Sequence, residues 1–249
     1  MTRIQAATDT TRAFKREGAT SHPMLALAGG KGGCGKTTTT LGLAGTLARR
    51  GFDPLVVDAD CDMPNVHHVA NVERTDGVSL LAEGVPLERA ITRSTSFPGV
   101  ALLTAGSRTE MDAALRATAR WHGPVLIDCP AGVSPDATRP LRHADRTLVV
   151  STDEPQCLAD TALTVTTARE LAADPVGALV RERAGSAPVS VADCEVLVTV
   201  PSVQEPFDSP RLARAWDNLG EVLYPRRTHG TNWWTTHDEC SYTAQKRRR

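Results

Sequence analysis

Lysine is scarce in this chain. Of the 28 basic residues among 249, only four are lysines and the others are arginines. Lys15 and Lys246 lie near the two ends, whereas Lys31 and Lys36 lie together in one glycine-rich stretch. An ammonium is a compact point charge that fits beside a single phosphate oxygen, whereas a guanidinium is a wide planar fork. The use of lysine at these two positions therefore indicates a chemical constraint on that stretch.

Paired cysteine motifs are also missing. The chain has 6 cysteines, and no two of them form a C-x-x-C pair. This spacing argues against a disulfide scaffold and against a zinc or iron–sulfur motif within one chain. Cys34, Cys61 and Cys129 fall in the loops discussed below, where we interpret them as small buried thiols. A redox-sensitive site is the alternative interpretation.

Long apolar runs are absent as well. No stretch is apolar enough to span a bilayer and no signal peptide is visible, so we expect a cytoplasmic protein. The net charge of −1 is unevenly distributed, with +2 in residues 1–23, −7 in residues 24–225 and +4 in residues 226–249. The acidic middle disfavours a bulk nucleic-acid-binding protein, while the basic ends are suited to a polyanion or an anionic membrane surface.

What is present is an alternation of strand and helix patterns through residues 24–225. It predicts an α/β fold of three layers, α/β/α, with a mostly parallel twisted sheet covered on both faces. We expect residues 1–23 to be a flexible extension and residues 226–249 a basic, disordered tail, with membrane tethering by that tail as the alternative. The predicted strands are 24–28, 54–57, 100–103, 124–127, 146–151, 176–180 and 196–200, and the predicted helices are 36–50, 78–84, 87–93, 109–120, 156–171 and 210–223.

The glycine-rich stretch fits the phosphate-binding pattern G-x-x-x-x-G-K-[ST]. It lies between an apolar strand and a helix that begins at Lys36, a context in which backbone N–H groups surround phosphates and the helix N-terminus attracts anions. Lys36 is predicted to reach the β- and γ-phosphates, and the Thr37 hydroxyl is predicted to bind Mg²⁺. The other residues expected to contact the phosphates are Gly32, Gly33, Cys34, Gly35 and Thr38. The alternative is a strand–helix turn without a ligand.

Carboxylates follow two of the predicted strands, at the edge where open parallel sheets bind ligands. Asp58 and Asp60 follow the second strand, and a plain acidic loop is the alternative there. Asp128 ends the apolar strand that precedes Cys-Pro-Ala-Gly, an arrangement typical of a Walker B site that holds Mg²⁺ through water. Gly132, at the end of that string, is placed to contact a γ-phosphate through its backbone N–H.

Lys31 distinguishes this stretch from an ordinary P-loop. Residues 31–37 match K-G-G-x-G-K-[ST] at every fixed position, and they resemble the deviant Walker A group, the ParA/MinD family of P-loop ATPases. The D-x-D string at Asp58 and the D-C-P-A-G string at Asp128 resemble MinD-like members. The resemblance covers residues 24–225. It implies a P-loop NTPase fold, with ATP and Mg²⁺ held between two identical chains and Lys31 contacting the nucleotide bound by the other subunit.

The resemblance also implies roles for single residues. Lys31, Lys36 and Asp60 would be catalytic, with Asp60 orienting the attacking water or taking up its proton. Asp58 would act through the water shell of the metal, beside Thr37 and Asp128. Pro201 matches a loop that lines the adenine pocket in relatives, although MinD-like proteins often carry asparagine after the preceding strand, where this chain has Arg181. The choice of adenine rather than guanine as the bound base therefore rests on the resemblance.

The function implied is a slow ATPase (ATP and water to ADP and phosphate) that acts as a switch in spatial organisation, such as cell division or cell-surface positioning. A protein activator or cargo is expected, and peripheral contact with the inner face of the cell membrane is left open. One alternative is a partition ATPase whose dimer binds DNA, which the acidic middle disfavours. Another is a cargo or iron–sulfur carrier, which the missing C-x-x-C disfavours. A nucleotide-dependent scaffold that does not hydrolyse ATP is the third.

Overall fold

The computed structural model describes residues 22–183 and 191–225. The predicted extension and tail fall almost entirely outside these residues. In chain order the strands are β1 (Met24–Gly29), β2 (Leu55–Asp58), β3 (Thr92–Arg93), β4 (Ala101–Leu103), β5 (Val125–Ala131), β6 (Arg146–Thr152), β7 (Pro175–Glu182) and β8 (Val196–Pro201). The helices are α1 (Lys36–Arg49), α2 (Val66–Val69), α3 (Gly77–Ala82), α4 (Leu87–Ala90), α5 (Met111–Thr118), α6 (Pro135–His143), α7 (Pro155–Glu170) and α8 (Pro210–Leu223), with a 3₁₀ turn at Pro206–Asp208.

The strands form one sheet in the order β3-β4-β2-β5-β1-β6-β7-β8. Every neighbouring pair is parallel except β3 with β4. The predicted α/β fold with a mostly parallel sheet is confirmed. Among the described residues, no helix is long and apolar enough to cross a membrane.

Both faces of the sheet are covered, as β1 at its centre shows. Leu25 and Leu27 pack into a core shared with α1 and α8. Ala26 and Ala28, which point the other way, join a second core that includes residues of α3 and α5. Because successive side chains of a strand alternate between its faces, these two cores lie on opposite sides of the sheet. The architecture is therefore three-layered.

Helix α1 carries the glycine-rich loop on its N-terminus and is held closely against α8. A Cβ added to Gly42 would lie 2.3 Å from the indole of Trp216, so only glycine allows this approach. The helix ends at Arg49, one residue before its predicted end, and Gly51 at φ 86° donates its N–H to Ala48 O at 2.9 Å. This packing fixes the position of the loop relative to the sheet.

The four-residue helix α2 was not predicted, and two further segments differ from the prediction. The helix expected over residues 87–93 ends at Ala90, and Thr92 and Arg93 instead pair antiparallel with β4. Helix α6 was not predicted, although Ser134 Oγ accepts the Ala137 N–H at 3.2 Å as an N-cap before Pro135. The same Ser-Pro signal led to the correct prediction of α8 at Ser209.

Candidate functional site

The three sequence motifs meet at one edge of the sheet. The strand order places β5 between β1 and β2, so the loop after β1 and the acidic ends of β2 and β5 are neighbours. Asp58 and Asp128 stand in register on adjacent strands, and Asp128 is also in register with Leu27 of β1. Because parallel strands end at the same edge, residues far apart in sequence form one cluster here.

The loop between β1 and α1 curls around the ammonium of Lys36. Gly33 and Gly35 have φ values of 75° and 106°, a region that side-chain-bearing residues rarely adopt. Lys36 is only 8% exposed, and its Nζ donates to Lys31 O at 3.2 Å and lies 3.9 Å from Cys34 Sγ. The ammonium is thus held inside the loop, at the N-terminus of a 14-residue helix.

Lys31, five positions earlier, has the opposite environment. It is exposed, as are Gly32 and Gly33 beside it. Within the described part of the chain, its ammonium takes part in no ion pair or hydrogen bond. The backbone carbonyl of Lys31 supports Lys36, while its side chain extends toward solvent.

A hydroxyl–carboxylate cluster lies beside the loop. Thr37 Oγ1 donates to Asp128 Oδ2 at 2.7 Å, and Thr40 Oγ1 lies 3.2 Å from Asp128 Oδ1. Thr40 Oγ1 is also 2.9 Å from Lys36 O, one helical turn earlier. Thr40 was not among the predicted site residues. The run of four threonines at 37–40 could have indicated this contact. The fourth of them, Thr40, lies about one helical turn after Lys36 and therefore on the same face of the helix.

Asp58 and Asp128 are two buried carboxylates in neighbouring positions. Burial and the adjacent Asp128 raise the pKa of Asp58 to about 7, although its carboxylate accepts the N–H groups of Asp60 and Val66 at 3.2 Å. Burial likewise raises the pKa of Asp128 to about 6. Two acids that resist ionisation next to each other form a site in which a cation would be stabilised.

Oxygen donors are the ligands that Mg²⁺ prefers, and it commonly binds one or two carboxylates together with substrate phosphates and water. Thr37, Asp58 and Asp128 supply such a set. Among the described residues, no group of three or more His, Cys, Asp or Glu side chains is arranged to hold a metal by itself. The donors present therefore fit a magnesium ion whose coordination is completed by phosphate and water.

Asp60 lies at the rim of the cluster and is partly exposed. Its Oδ1 accepts the Met63 N–H at 3.0 Å. Within the described residues, its Oδ2 has no hydrogen-bond partner. The carboxylate is therefore fixed by one oxygen and leaves the other accessible to water.

Gly132 ends the Walker B segment with φ 84°, and its N–H donates to Gly29 O at 3.1 Å. This is the N–H group that the sequence assigned to the γ-phosphate. A contact with phosphate therefore requires the bond to Gly29 to open.

Pro201 lines a cleft of about 380 Å³ on the other side of the loop. The walls are largely apolar, and Arg181 is the one charged side chain among the described residues that line it. Arg181 Nη2 donates to Gly33 O, and Thr38 also borders the cleft. The lining residues are Cys34, Gly35, Thr38, Thr39, Leu179, Arg181, Val200, Pro201, Val203, Pro206, Leu212 and Trp216. From the sequence, Arg181 stood out only as a departure from the relatives.

Residues 25–215 match the sequence profile of the CobQ/CobB/MinD/ParA nucleotide binding domain. The chain belongs to this family. The match includes the loop after β1, both acidic strand ends and most of the cleft, and it ends inside α8, one residue before Trp216. Nucleotide binding is the property that the family description names.

Individual relatives are distant in sequence but similar in fold. An uncharacterised ATP-binding protein of Methanocaldococcus jannaschii is 28% identical over 215 residues, covering 81% of each chain. The septum site-determining protein MinD of Synechocystis is 27% identical over 148 residues, covering 55% of this chain and 56% of that protein. The structure of MinD from Pyrococcus horikoshii, complexed with Mg-ADP, superposes with a TM-score of 0.72 at 23% identity, covering 82% of this chain and 96% of that one. This last similarity shows the fold.

Proposed function

We propose that the chain is an ATPase of the MinD/ParA type, in which ATP and Mg²⁺ are held between two copies of the chain and slow hydrolysis releases the dimer. The observation that carries this proposal is the opposite environment of two lysines in one loop. Lys36 is enclosed by its own loop, whereas Lys31 is exposed and free of ion pairs among the described residues. An exposed lysine beside a phosphate site is suited to a nucleotide bound by another subunit.

The roles proposed for the residues follow from their positions. Lys36, the loop N–H groups and the partner subunit's Lys31 would stabilise the charge that develops on the transferring phosphoryl group. Asp60 would orient the attacking water through its accessible oxygen. Thr37, Asp58 and Asp128 would hold Mg²⁺, which when bound would neutralise charge on the phosphate oxygens.

The choice of ATP is supported by the relatives. The Methanocaldococcus protein is described as ATP-binding, and the Pyrococcus MinD structure contains Mg-ADP. The chain spans only about half of the length of the Synechocystis MinD protein. A role in placing division or cell-surface machinery is therefore part of the proposal. The proposal also includes a protein activator or cargo and a cytoplasmic location with peripheral membrane contact. It further includes the division of the chain into residues 1–23, 24–225 and 226–249.

Phosphate release from Mg-ATP tests the enzymatic part. We expect Asp60→Asn to lower the rate about 100-fold, because a positioned general base contributes at least that much. Asp62→Asn is the matched control, since Asp62 lies two residues after Asp60 and is engaged in an ion pair with Arg108. Binding of ATP without any phosphate release would favour the scaffold alternative, and ATP-dependent retention of DNA would favour the partition alternative.

A further inference from the structure

The cleft beside the loop, or slot, has a largely apolar lining that is suited to a planar ring. Leu179 and Val200 supply side chains from β7 and β8, and Trp216 supplies an aromatic surface from α8. Thr38, in the first turn of α1, connects this slot to the phosphate site. A purine attached to phosphates in the loop would enter the slot from that end.

Arg181 is the charged residue that lines this slot. It lies two residues after Leu179 on β7, so both side chains point to the same face of the sheet. Arg181 is in register with Val200 on β8 and with Thr152 on β6. The backbone position is therefore fixed from both sides by parallel pairing.

The guanidinium of Arg181 is anchored but has unused donors. Nη2 donates to Gly33 O, which fixes the plane of the group against the phosphate loop. The buried Nε–H has no acceptor, and Nη1 lies 3.9 Å from the place that a Cβ on Gly35 would take. A buried N–H without an acceptor is destabilising, so a ligand that supplies an acceptor would be favoured.

Donor and acceptor chemistry then separates the two purines. A guanidinium carries five donors and no acceptor. Guanine presents two acceptors, O6 and N7, on the edge that arginine reads in nucleic acids, whereas adenine presents the N7 acceptor and the N6 amino donor, a pattern that asparagine or glutamine matches. A guanidinium at the base edge can satisfy both guanine acceptors but cannot accept from the adenine amino group.

We propose that Arg181 is the base-reading residue of this site and that it removes the preference for adenine, so that guanine nucleotides bind on nearly equal terms. This inference rests on the proposed function, because it takes the loop to hold the phosphates of a purine nucleotide. It adds a relaxed base selectivity, which the family pattern does not imply.

Titration of the full chain with Mg-ADP and with Mg-GDP tests the inference without interference from hydrolysis. We expect the two dissociation constants of the wild type to agree within about fivefold. The amide of Arg181→Gln offers an NH₂ donor group and an oxygen acceptor, the pattern that matches adenine. We expect this variant to shift the ratio of the two dissociation constants in favour of ADP by about tenfold. Arg183→Gln is the matched control, because Arg183 pairs with Glu154 and does not line the cleft. We expect its ratio to equal that of the wild type.

Arg181→Met provides a second variant in case the glutamine variant is unfolded, since it retains a long stem and removes every donor. It is expected to weaken GDP binding more than ADP binding. A wild type that prefers ADP by about 100-fold, or variants that bind both nucleotides with an unchanged ratio, would overturn the inference and leave the proposed function intact. Failure of the wild type to bind ADP, GDP and tripolyphosphate alike would overturn both.

Discussion

The two halves of the glycine-rich loop differ in what surrounds them. In the second half, Lys36 and Thr37 face their own chain, and their polar atoms are engaged with the Lys31 carbonyl and the Asp128 carboxylate. In the first half, Lys31 and Gly32 are exposed. The difference supports the proposal that one sequence motif carries two separable tasks, because the polar atoms of the second half are engaged within one chain whereas the Lys31 side chain is exposed.

The largest expected effect concerns Lys36, in the second half of the loop. Replacement of Lys36 by alanine removes a desolvated ammonium from the phosphate site, and we expect Mg-ADP affinity to fall on the order of 100-fold. Lys31→Ala is the matched control in the same loop, and the affinity of its monomer for Mg-ADP is expected to stay within about threefold of the wild type. Isothermal titration of both variants measures this. Equal losses in the two variants would remove the distinction between the halves.

The glycines of the first half offer a second comparison. A Cβ on Gly30 would lie 2.2 Å from the backbone of Asp160 in α7, whereas a Cβ on Gly32 would meet nothing within 4 Å. We expect Gly30→Ala to lower the free energy of unfolding by about 1–3 kcal/mol through overpacking, and Gly32→Ala to leave it nearly unchanged. Denaturant unfolding of the two variants checks this. A stable Gly30→Ala protein would mean that the loop does not pack against α7 as described.

The last expected effect, no larger than that of Gly30→Ala, concerns the carboxylates next to Lys36 and Thr37. The pKa of Asp58 is raised from 3.8 to about 7, so the folded chain binds more protons than the unfolded chain between these values. Stability therefore falls as pH rises through this window. Between pH 5 and pH 8, we expect the unfolding free energy of the metal-free wild type to fall by about 1–3 kcal/mol more than that of Asp58→Asn.

Chemical denaturation at several pH values, with and without Mg-ADP, measures that loss. Bound Mg-ADP is expected to reverse it, because the ionised carboxylates are then the form that the ligand stabilises. Parallel pH profiles of the wild type and Asp58→Asn without ligand would contradict the description of this pair as a cation site.

Much of the phosphate side could be predicted from the sequence because its determinants are local. Gly35, Lys36 and Thr37 are consecutive, and the motif itself specifies a strand, a loop and a helix. Asp58 and Asp128 each end an apolar strand, so their meeting at the carboxyl edge follows from a parallel sheet. Only the strand order, with β5 between β1 and β2, had to come from the structure.

The cleft beside the loop was harder to predict because its determinants are tertiary. Arg181 is one of many arginines in the sequence, and its contact with Gly33 depends on where β7 lies relative to the loop. Trp216 reaches the cleft only because Gly42 lets α8 approach α1. Helix α6 was missed although its Ser-Pro start was visible, because Pro140 inside the segment is unfavourable for a helix.

The proposed pairing of two chains, controlled by ATP through Lys31, is tested most directly by the molar mass of the chain in solution. Light scattering in Mg-ATP, with Asp60→Asn to slow hydrolysis, is predicted to give the mass of a dimer, and in Mg-ADP the mass of a monomer. Addition of Lys31→Ala to that variant is predicted to leave a folded, nucleotide-binding monomer in both. A Lys31→Ala chain that still dimerises with Mg-ATP would contradict the account.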